Sequence, residues 1–324
     1  MDVIKTLRSI HRLREFGGFR LIKAYVRIGV LRSVLKESLK GLVLRKSFRD
    51  IYHALQPVIV TALQKEYEPL MKKQLSYYSN NSDVNKRSNY IWFCWLQGIE
   101  AAPQIVIICL KSLRRYLPEK EIIIVDNNNR HDYVSLPDYI EKKWEKKQIT
   151  SAHFSDLLRL ELLIKYGGTW IDSTVLCTGE NYMAGCLDSD LFVFQFKKDK
   201  NAQYAGISNW FVTSCQNNNI LMTLRDMLFA YWKDYDCVLE YYIYHRFFDM
   251  IAIEMQDEIK KIPYAYSTNS LVLGHNWGRT FQQETWEKLV SMVSFHKLTY
   301  KVEDSVLKDN NNYYNFIIRN FNAE

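Results

Sequence analysis

The chain has 324 residues, of which 48% are hydrophobic and 14% aromatic, so it can bury a sizeable core and is unlike a disordered protein. Its formal net charge is +7, but residues 1–50 hold thirteen Lys or Arg and four Asp or Glu, which leaves the remainder at −2. A nucleic-acid enzyme usually carries positive charge around its active cleft, so this distribution argues against a nucleic-acid partner. A basic N-terminal segment instead favours an anionic membrane surface.

Residues 1–87 are predicted to form a basic amphipathic helical region that ends in the polar stretch 78–87. Apolar residues recur every three or four positions, at Ile28, Leu31, Leu35, Leu39 and Leu42. This stripe fits a helix packed on the core and equally a helix lying in a membrane interface. The sequence has no run of about 18 apolar residues and no signal-peptide pattern at its start. We therefore expect a cytoplasmic protein, peripheral at the inner face of the cell membrane.

The six cysteines form no CxxC pair and show no zinc spacing with histidine. Most lie in apolar runs, which predicts buried free thiols and fits a reducing cytoplasm. The sequence also lacks a GxGxxG or Walker-type phosphate loop, an HExxH helix and a GxSxG nucleophile turn.

Strands alternate with helices from Tyr90 onward. Strands are predicted at Tyr90–Trp95, Glu121–Asp126, Ile149–Ala152, Thr169–Ile171 and Leu191–Phe196. Helices are predicted at about 103–116, 138–147, 156–166, 220–232 and 238–255, with further strand and turn signals at 262–273 and 292–300. Strand–helix–strand units imply parallel pairing, so residues 88–324 are predicted to be an α/β domain.

Two of the predicted strands end at aspartates, Asp126 and Asp172. Ligands of open α/β sheets bind beyond the carboxyl ends of the strands. A carboxylate at such an end can hold a divalent cation that bridges a diphosphate. Asp172 also fits a purely structural role, in which it caps a turn.

The helix before the second of these strands carries a further pair of charges. Ser155 is predicted to cap a helix that begins at Asp156, and Gly167 to end it in the left-handed conformation. Asp156 and Arg159 are three residues apart and share a helix face, where Arg159 can pair with Asp156 or reach a phosphate or sugar hydroxyl. The start of the helix would favour an anion, although Asp156 also fits the simpler role of complementing the helix dipole.

The stretch SDLLRLELLIKYGGTWIDST resembles the sugar-binding core of the capsular polysaccharide synthesis family of glycosyltransferases. That family is related to the DxD-type sugar transferases that include yeast α-mannosyltransferases and clostridial glucosylating toxins. The shared pattern is SD-x-x-R, a helix, and GG-x-[YW]-x-D-x-D. It is matched here by Ser155, Asp156, Arg159, Gly167, Gly168, Trp170 and Asp172.

Weaker motifs extend the resemblance over about residues 88–302. They are IWFCWLQG, EIIIVD with Asn127–Asn129, ISNWF, and the His/Lys motif SFHKLTYK. The resemblance implies catalytic roles for Asp156, Arg159, Asp172 and Asn209. It implies contacts to the nucleotide-sugar from Trp95, Gln97, Gly98, Asp126, Ser155, Gly168, Ser173, Thr174 and Lys301. Because glycine has no side chain, the backbone at Gly168 can approach a ligand closely.

The sequence departs from the pattern at Thr174, where the second acid of DxD is expected. The resemblance implies a Mn²⁺ or Mg²⁺ ion on Asp172 with help from His296, or weak cation binding, in which case Lys301 neutralises part of the diphosphate charge. His296 on its own equally fits a satisfied structural histidine.

The resemblance implies a GT-A-like nucleotide-sugar-binding domain with a mixed, mainly parallel central sheet, preceded by the N-terminal helical region. It implies a retaining transfer of a hexose, from a UDP-sugar by family habit, to a glycan or lipid-linked acceptor in capsular or surface polysaccharide synthesis. Two alternatives stay open: a non-catalytic nucleotide-sugar-binding scaffold, suggested by the missing second acid, and a membrane-surface adaptor. The adaptor leaves the Ser155–Thr174 motif without a purpose.

Overall fold

The computed structural model describes residues 18–46, 48–80, 86–180, 182–196 and 206–322. The α-helices in these ranges are α1 Phe19–Arg27, α2 Leu31–Val43, α3 Phe48–Asn80, α4 Gln104–Tyr116, α5 Arg130–Tyr133, α6 Asp138–Glu145, α7 Ser151–Tyr166, α8 Asn219–Asp234, α9 Ile243–Glu254, α10 Gln256–Lys261, α11 Ser267–Asn276, α12 Gln283–Met292, α13 Asp304–Lys308 and α14 Tyr313–Asn322. The strands are β1 Tyr90–Cys94, β2 Glu121–Val125, β3 Gly168–Ile171, β4 Val175–Cys177, β5 Leu191–Gln195, β6 Ile207–Ser214 and β7 Phe295–Lys297.

The chain divides into two compact units. The first joins the described residues up to Asn80 with Leu136–Leu158 and Asn219–Glu254. The second joins the described residues of 86–135 with those of 159–218 and 255–322. The N-terminal helices thus share their unit with two later segments of the chain. The domain boundary expected after residue 87 stays a prediction.

The first unit is helical and is built around α3, which is 33 residues long. Its buried residues recur almost every fourth position, the spacing that places side chains on one helix face. They are Leu55, Ile59, Leu63, Tyr67, Met71, Leu75 and Tyr78. Polar contacts join α3 to α8: the Tyr78 hydroxyl donates to Asp226 at 2.6 Å and the Tyr67 hydroxyl to Asp234 at 3.0 Å.

Helices α1 and α2 are amphipathic, and each turns one apolar stripe outward. The continuous stripe predicted through Ile28 is interrupted, because the chain turns at Gly29 with φ +73°. Leu21 and Ala24 of α1 are buried, and Arg27 of α1 pairs with Asp234 at 2.6 Å. We define the exposed stripe as the outward apolar residues Phe19, Ile22 and Val26 of α1 and Leu35, Leu39 and Val43 of α2.

The second unit contains a five-stranded sheet in the order β2-β1-β3-β6-β5. Strands β2, β1 and β3 are mutually parallel, and β6 is antiparallel to both of its neighbours, so four of the five strands point the same way. A second, two-stranded sheet pairs β4 with β7 in antiparallel fashion. The predicted fold class, a mixed and mainly parallel α/β sheet preceded by helices, is confirmed.

Helix α7 begins earlier than the sequence suggested. The prediction of Ser155 as its first cap is wrong, because α7 starts at Ser151. Thr150 provides the cap: its Oγ1 accepts the His153 N–H at 3.3 Å and its carbonyl accepts the Phe154 N–H at 2.9 Å. The strand predicted at 149–152 is therefore absent from this segment, and Asp156 does not lie at a helix N-terminus where an anion would bind.

The end of α7 matches its prediction. The chain leaves the helix at Gly167, whose φ is +70° and whose N–H donates to the Leu163 carbonyl at 2.8 Å. The Trp92 indole N–H donates to the Gly167 carbonyl at 2.9 Å, which fixes the glycine against β1.

All six cysteines are buried free thiols, as predicted: Cys94, Cys109, Cys177, Cys186, Cys215 and Cys237. Burial raises the pKa of the Cys94 and Cys177 thiols to about 12, so they stay protonated at neutral pH. No helix in the described ranges is long and apolar enough to cross a membrane.

Candidate active site

Three neighbouring strands of the second unit end at the same edge of the sheet. Cys94 of β1 lies opposite Val125 of β2, and Trp92 of β1 opposite Trp170 of β3. The next residues along each strand, Trp95, Asp126 and Asp172, therefore follow adjacent carboxyl ends, where ligands of such sheets bind.

Asp172 is the centre of a polar cluster that we call the Asp172 cluster: Asp172, Arg159, Trp170, Thr174 and Lys297. Its Oδ1 accepts from the Trp170 indole Nε1 at 2.8 Å and from Arg159 Nη2 at 3.3 Å. Its Oδ2 accepts from Lys297 Nζ at 2.7 Å. Both carboxylate oxygens thus accept hydrogen bonds, two of them from cationic side chains.

Arg159 is held by packing as well as by charge. Its side chain is only 3% exposed, against 26% for Asp172, and its guanidinium lies 4.8 Å from the centroid of the Trp170 ring. A guanidinium over an indole face gains cation–π attraction, which is strongest where water is excluded. Arg159 and Trp170 therefore form a rigid base beneath the carboxylate.

The charges around Asp172 keep it ionised. Burial by itself raises the pKa of the Asp172 carboxyl, but the charges of Lys297 and Arg159, with hydrogen bonds from Lys297 and Trp170, outweigh burial. The net shift of this pKa is downward, so the carboxylate is negative at neutral pH.

Lys297 reaches the cluster through the small sheet. It lies opposite Val175 in the β4–β7 pair, and the Leu298 N–H donates to the Thr174 carbonyl at 2.8 Å. Lys297 Nζ also donates to Thr174 Oγ1 at 2.7 Å. The ammonium thus bridges positions 172 and 174, the two positions of the DxD pattern.

An aromatic surface lies on the loop that follows β1. The rings of Trp95 and Tyr300 meet edge to face, with centroids 5.2 Å apart. Tyr300 is 46% exposed, and Lys301 Nζ lies 5.8 Å from its ring centroid. Trp95 and Lys301, two residues predicted to contact the nucleotide-sugar, therefore both lie beside Tyr300. Tyr300 was not predicted from the sequence.

A model described as capsular polysaccharide synthesis protein matches residues 42–317. The chain belongs to that family. The matched segment includes β1 to β7 and therefore every residue of the Asp172 cluster, and the predicted family resemblance is confirmed.

No curated protein matches this chain. Among solved structures, it is similar to the PaToxG glycosyltransferase, at 11% sequence identity and a TM-score of 0.37. That alignment covers 81% of this chain and 98% of the other.

Asp126 and the loop at Gly98 lie close together. Asp126 Oδ1 accepts the backbone N–H groups of Asn128 at 2.7 Å and Asn129 at 3.0 Å, so this carboxylate shapes the turn after β2. A Cβ on Gly98 would lie 3.7 Å from Asp126 Oδ2, and Gln97 beside it is exposed.

Gly168 serves a different purpose from the one expected. It begins β3, at the opposite end of that strand from Asp172. Its φ is +92°, and a Cβ there would lie 2.5 Å from the Tyr90 carbonyl oxygen. The close approach that requires a glycine is therefore to the backbone of β1, and the structure does not bring Gly168 to the strand-end site.

The remaining predicted site residues are buried or half-buried. Asp156 is buried and lies three residues before Arg159 in α7, while Ser155 is half-buried. Asn209 is half-buried in β6, one residue before Trp210, whose carbonyl accepts the Asp172 N–H at 2.8 Å. Ser173 is half-buried directly after Asp172.

His296, the expected second metal ligand, is fully buried in β7. Its Nε2 lies 3.1 Å from Thr178 Oγ1, and burial lowers the pKa of its imidazole to about 4, so the ring is neutral. Thr178 gives one ring nitrogen a polar partner, as a structural histidine requires, and the metal-binding role expected for His296 stays a prediction.

The described residues as arranged do not fit a divalent cation. They contain no group of three or more His, Cys, Asp or Glu side chains placed to hold a metal ion. Asp172 already accepts from Arg159 and Lys297, and a metal ion would have to displace one of these cations. The expected Mn²⁺ or Mg²⁺ stays a prediction for a binding experiment.

A cavity of about 340 Å³ also lies in the second unit. Aromatic residues dominate its lining, among them Tyr182, Phe192, Phe194, Tyr264 and Tyr266, and Asn269 and Ser294 add polar groups. None of the residues predicted for the site lines it.

The principal residue that sequence reasoning missed is Lys297. The His/Lys motif contained the signal, but the neighbouring Lys301 was selected. Lys297 ends β7, whereas Lys301 lies four residues beyond it, so only the extent and register of β7 identify the lysine that faces Asp172.

Proposed function

We propose that the protein is a retaining hexosyltransferase that uses a nucleotide-sugar, with UDP-hexose as the donor. The acceptor is a glycan or a lipid-linked saccharide in capsular or surface polysaccharide synthesis. Family membership supports the biological setting. The observation that carries the proposal is the Asp172 cluster, where one carboxylate and two cations meet at the carboxyl edge of the sheet.

The chemistry needs what this edge offers. When the bond between the anomeric carbon and the diphosphate oxygen breaks, negative charge grows on the diphosphate and the sugar becomes oxocarbenium-like. Arg159 and Lys297 are cations fixed in place before the reaction, the arrangement that stabilises such developing charge most effectively. The exposed Tyr300 ring beside Trp95 provides a surface on which a nucleobase can stack.

The remaining roles rest on the resemblance. Asp156 holds sugar hydroxyls and fixes the donor pose, and Asn209 faces the donor or the acceptor. Retention of anomeric configuration is likewise inherited from the related families. No side chain is assigned as a nucleophile.

The direct test is release of nucleotide from a panel of UDP- and GDP-sugars, measured with the purified protein with and without Mn²⁺ or Mg²⁺. We expect turnover of at least one UDP-hexose. Asp172→Asn should reduce that turnover at least about 100-fold, because Lys297 and Arg159 lose the carboxylate that positions them. Asp188→Asn, an exposed acid of the same unit, is the matched control.

Full activity of Asp172→Asn would show that the site is assigned wrongly. The scaffold alternative, which the threonine at position 174 favours, makes a different prediction in the same assay. A scaffold would bind a UDP-sugar, as measured by calorimetry, and release no nucleotide from any donor.

We also propose that the protein is peripheral at the cytoplasmic face of an anionic membrane, where a lipid-linked acceptor would be presented. The exposed stripe supports this: Phe19 is 90% exposed and Val43 is 82% exposed. Exposed lysines of the same helices, Lys23, Lys36 and Lys40, lie beside the apolar residues. Apolar side chains flanked by basic ones are typical of helices that lie in a membrane interface.

A further inference from the structure

We infer that Lys297 supplies, within the protein, the positive charge for which a divalent cation was expected, so that the site binds nucleoside diphosphate without a metal ion. This inference rests on the proposed function and specifies how its donor is held.

The position of the ammonium is the first support. Lys297 Nζ lies 2.7 Å from Asp172 Oδ2 and 2.7 Å from Thr174 Oγ1. A cation coordinated by a two-acid motif would lie between the side chains of positions 172 and 174. In this chain, that place is taken by a cationic side chain.

The charge of the cluster is the second support. Within it, two cations, Arg159 and Lys297, contact a single carboxylate, Asp172. A divalent ion would face two like charges while sharing a single carboxylate, and like charges at short range in a partly buried site repel strongly. A diphosphate would meet the opposite sign.

The donor count is the third support. An ammonium group has three N–H donors, and Asp172 and Thr174 account for two of them. The Lys297 side chain is 23% exposed, so an anion can reach it. The third donor is available to a phosphate oxygen, in a charge-assisted hydrogen bond of the strong class.

The threonine at position 174 then has a physical explanation. A second carboxylate there would add a negative charge that repels a diphosphate. A hydroxyl accepts from Lys297 without adding charge. Asp172 and Thr174 are accordingly positioning residues, and Lys297 is the group that contacts the ligand.

The first experiment is a calorimetric titration of the full chain with UDP, and separately with GDP, in excess EDTA and then in Mn²⁺ or Mg²⁺. We expect the Kd for UDP to agree within about threefold between the chelated and metal-containing samples. Metal independence of binding requires no substitution, so this arm does not depend on a variant that folds.

Substitution supplies the second arm. Lys297→Met should weaken UDP binding in EDTA about tenfold to 100-fold, the loss of one charged hydrogen bond. Lys297→Arg should retain most of the affinity, and Lys288→Met, which removes an exposed charge of α12, should match the unmodified protein. Thr174→Val, which removes one acceptor of Lys297 at nearly equal volume, should weaken binding severalfold.

A loss of UDP affinity of tenfold or more in EDTA, restored by Mn²⁺ or Mg²⁺, would overturn the inference while leaving the transferase proposal intact. Unchanged affinity of Lys297→Met would overturn it as well. Absence of UDP and GDP binding under every condition, together with absence of turnover, would instead overturn the proposed function and this inference with it.

Discussion

Gly168 shows how one residue controls the distance between two strands at the active-site sheet. Its φ of +92° lies where side chains are strained, and a Cβ would meet the Tyr90 carbonyl at 2.5 Å. Gly168→Ala should therefore lower the free energy of unfolding by about 2–3 kcal/mol, measured by urea denaturation.

Gly179→Ala is the control for this substitution. A Cβ at Gly179 would have no neighbour within 4 Å. This variant should unfold within about 0.5 kcal/mol of the unmodified protein. Equal stability of the two variants would mean that β1 tolerates a side chain at Gly168, against the geometry described.

At the scale of one element, α9 carries a buried acid. Asp249 is 5% exposed, and burial raises the pKa of its carboxyl to about 7, an effect that the charge of Arg246 reduces without cancelling. In the unfolded chain, the pKa of the same carboxyl is about 4. Between about pH 4 and pH 7, the native state therefore keeps a proton that the unfolded chain has released. The free energy of unfolding falls as the pH rises through this range.

Asp249→Asn should remove this pH dependence, since an amide stays neutral. At pH 8 the variant should be more stable than the unmodified protein, by up to about 4 kcal/mol for a shift of this size. Thermal unfolding at pH 5 and pH 8 measures the effect, with exposed Asp188→Asn as the control. A variant that keeps the slope of the unmodified protein between these pH values would rule out Asp249 as its source.

Elements also show where the sequence was informative and where it was not. Apolar runs in the sequence predict strands β1, β2, β3 and β5. Prolines predict the ends of α4, and a glycine predicts the end of α7. The strand and turn signals at 262–273 are wrong over residues 267–273, which belong to α11. A short apolar run does not distinguish a strand from a buried helix. Tertiary packing decides here, since α11 packs so closely on β7 that a Cβ on Gly274 would overlap the Lys297 carbonyl oxygen.

The candidate site was predictable to a similar extent. Asp172 and Arg159 follow from local pattern and resemblance, since both belong to one contiguous motif. Lys297 does not, because its approach depends on the register of β7 against β4, a long-range pairing that one sequence leaves open. The same holds for Tyr300, which meets Trp95 from the far end of the chain.

At the scale of the whole molecule, the exposed stripe predicts binding to anionic membranes. The combined substitution Phe19→Ser, Val26→Ser, Leu35→Ser and Leu39→Ser should release the protein from vesicles that contain anionic lipid, with nucleotide-sugar hydrolysis unchanged. Point changes are preferable to deletion of residues 1–50, because Leu21 and Ala24 are buried there. Flotation with anionic and with neutral vesicles measures the partition.

Leu307→Ser, an exposed apolar residue of α13, is the control and should float as the unmodified protein does. If the four-residue variant still floats with anionic vesicles, the stripe does not bind membrane.

The pairing of β4 with β7 has a consequence for folding of the chain during translation. Lys297 and Asp172 are 125 positions apart, so the ribosome makes the carboxylate long before its second cation. A nascent chain that has folded only as far as β4 can pair Asp172 with Arg159 and Trp170, but it lacks the ammonium of Lys297. On the proposed function, the ability to hold the donor would therefore appear only late in synthesis, when β7 pairs with β4.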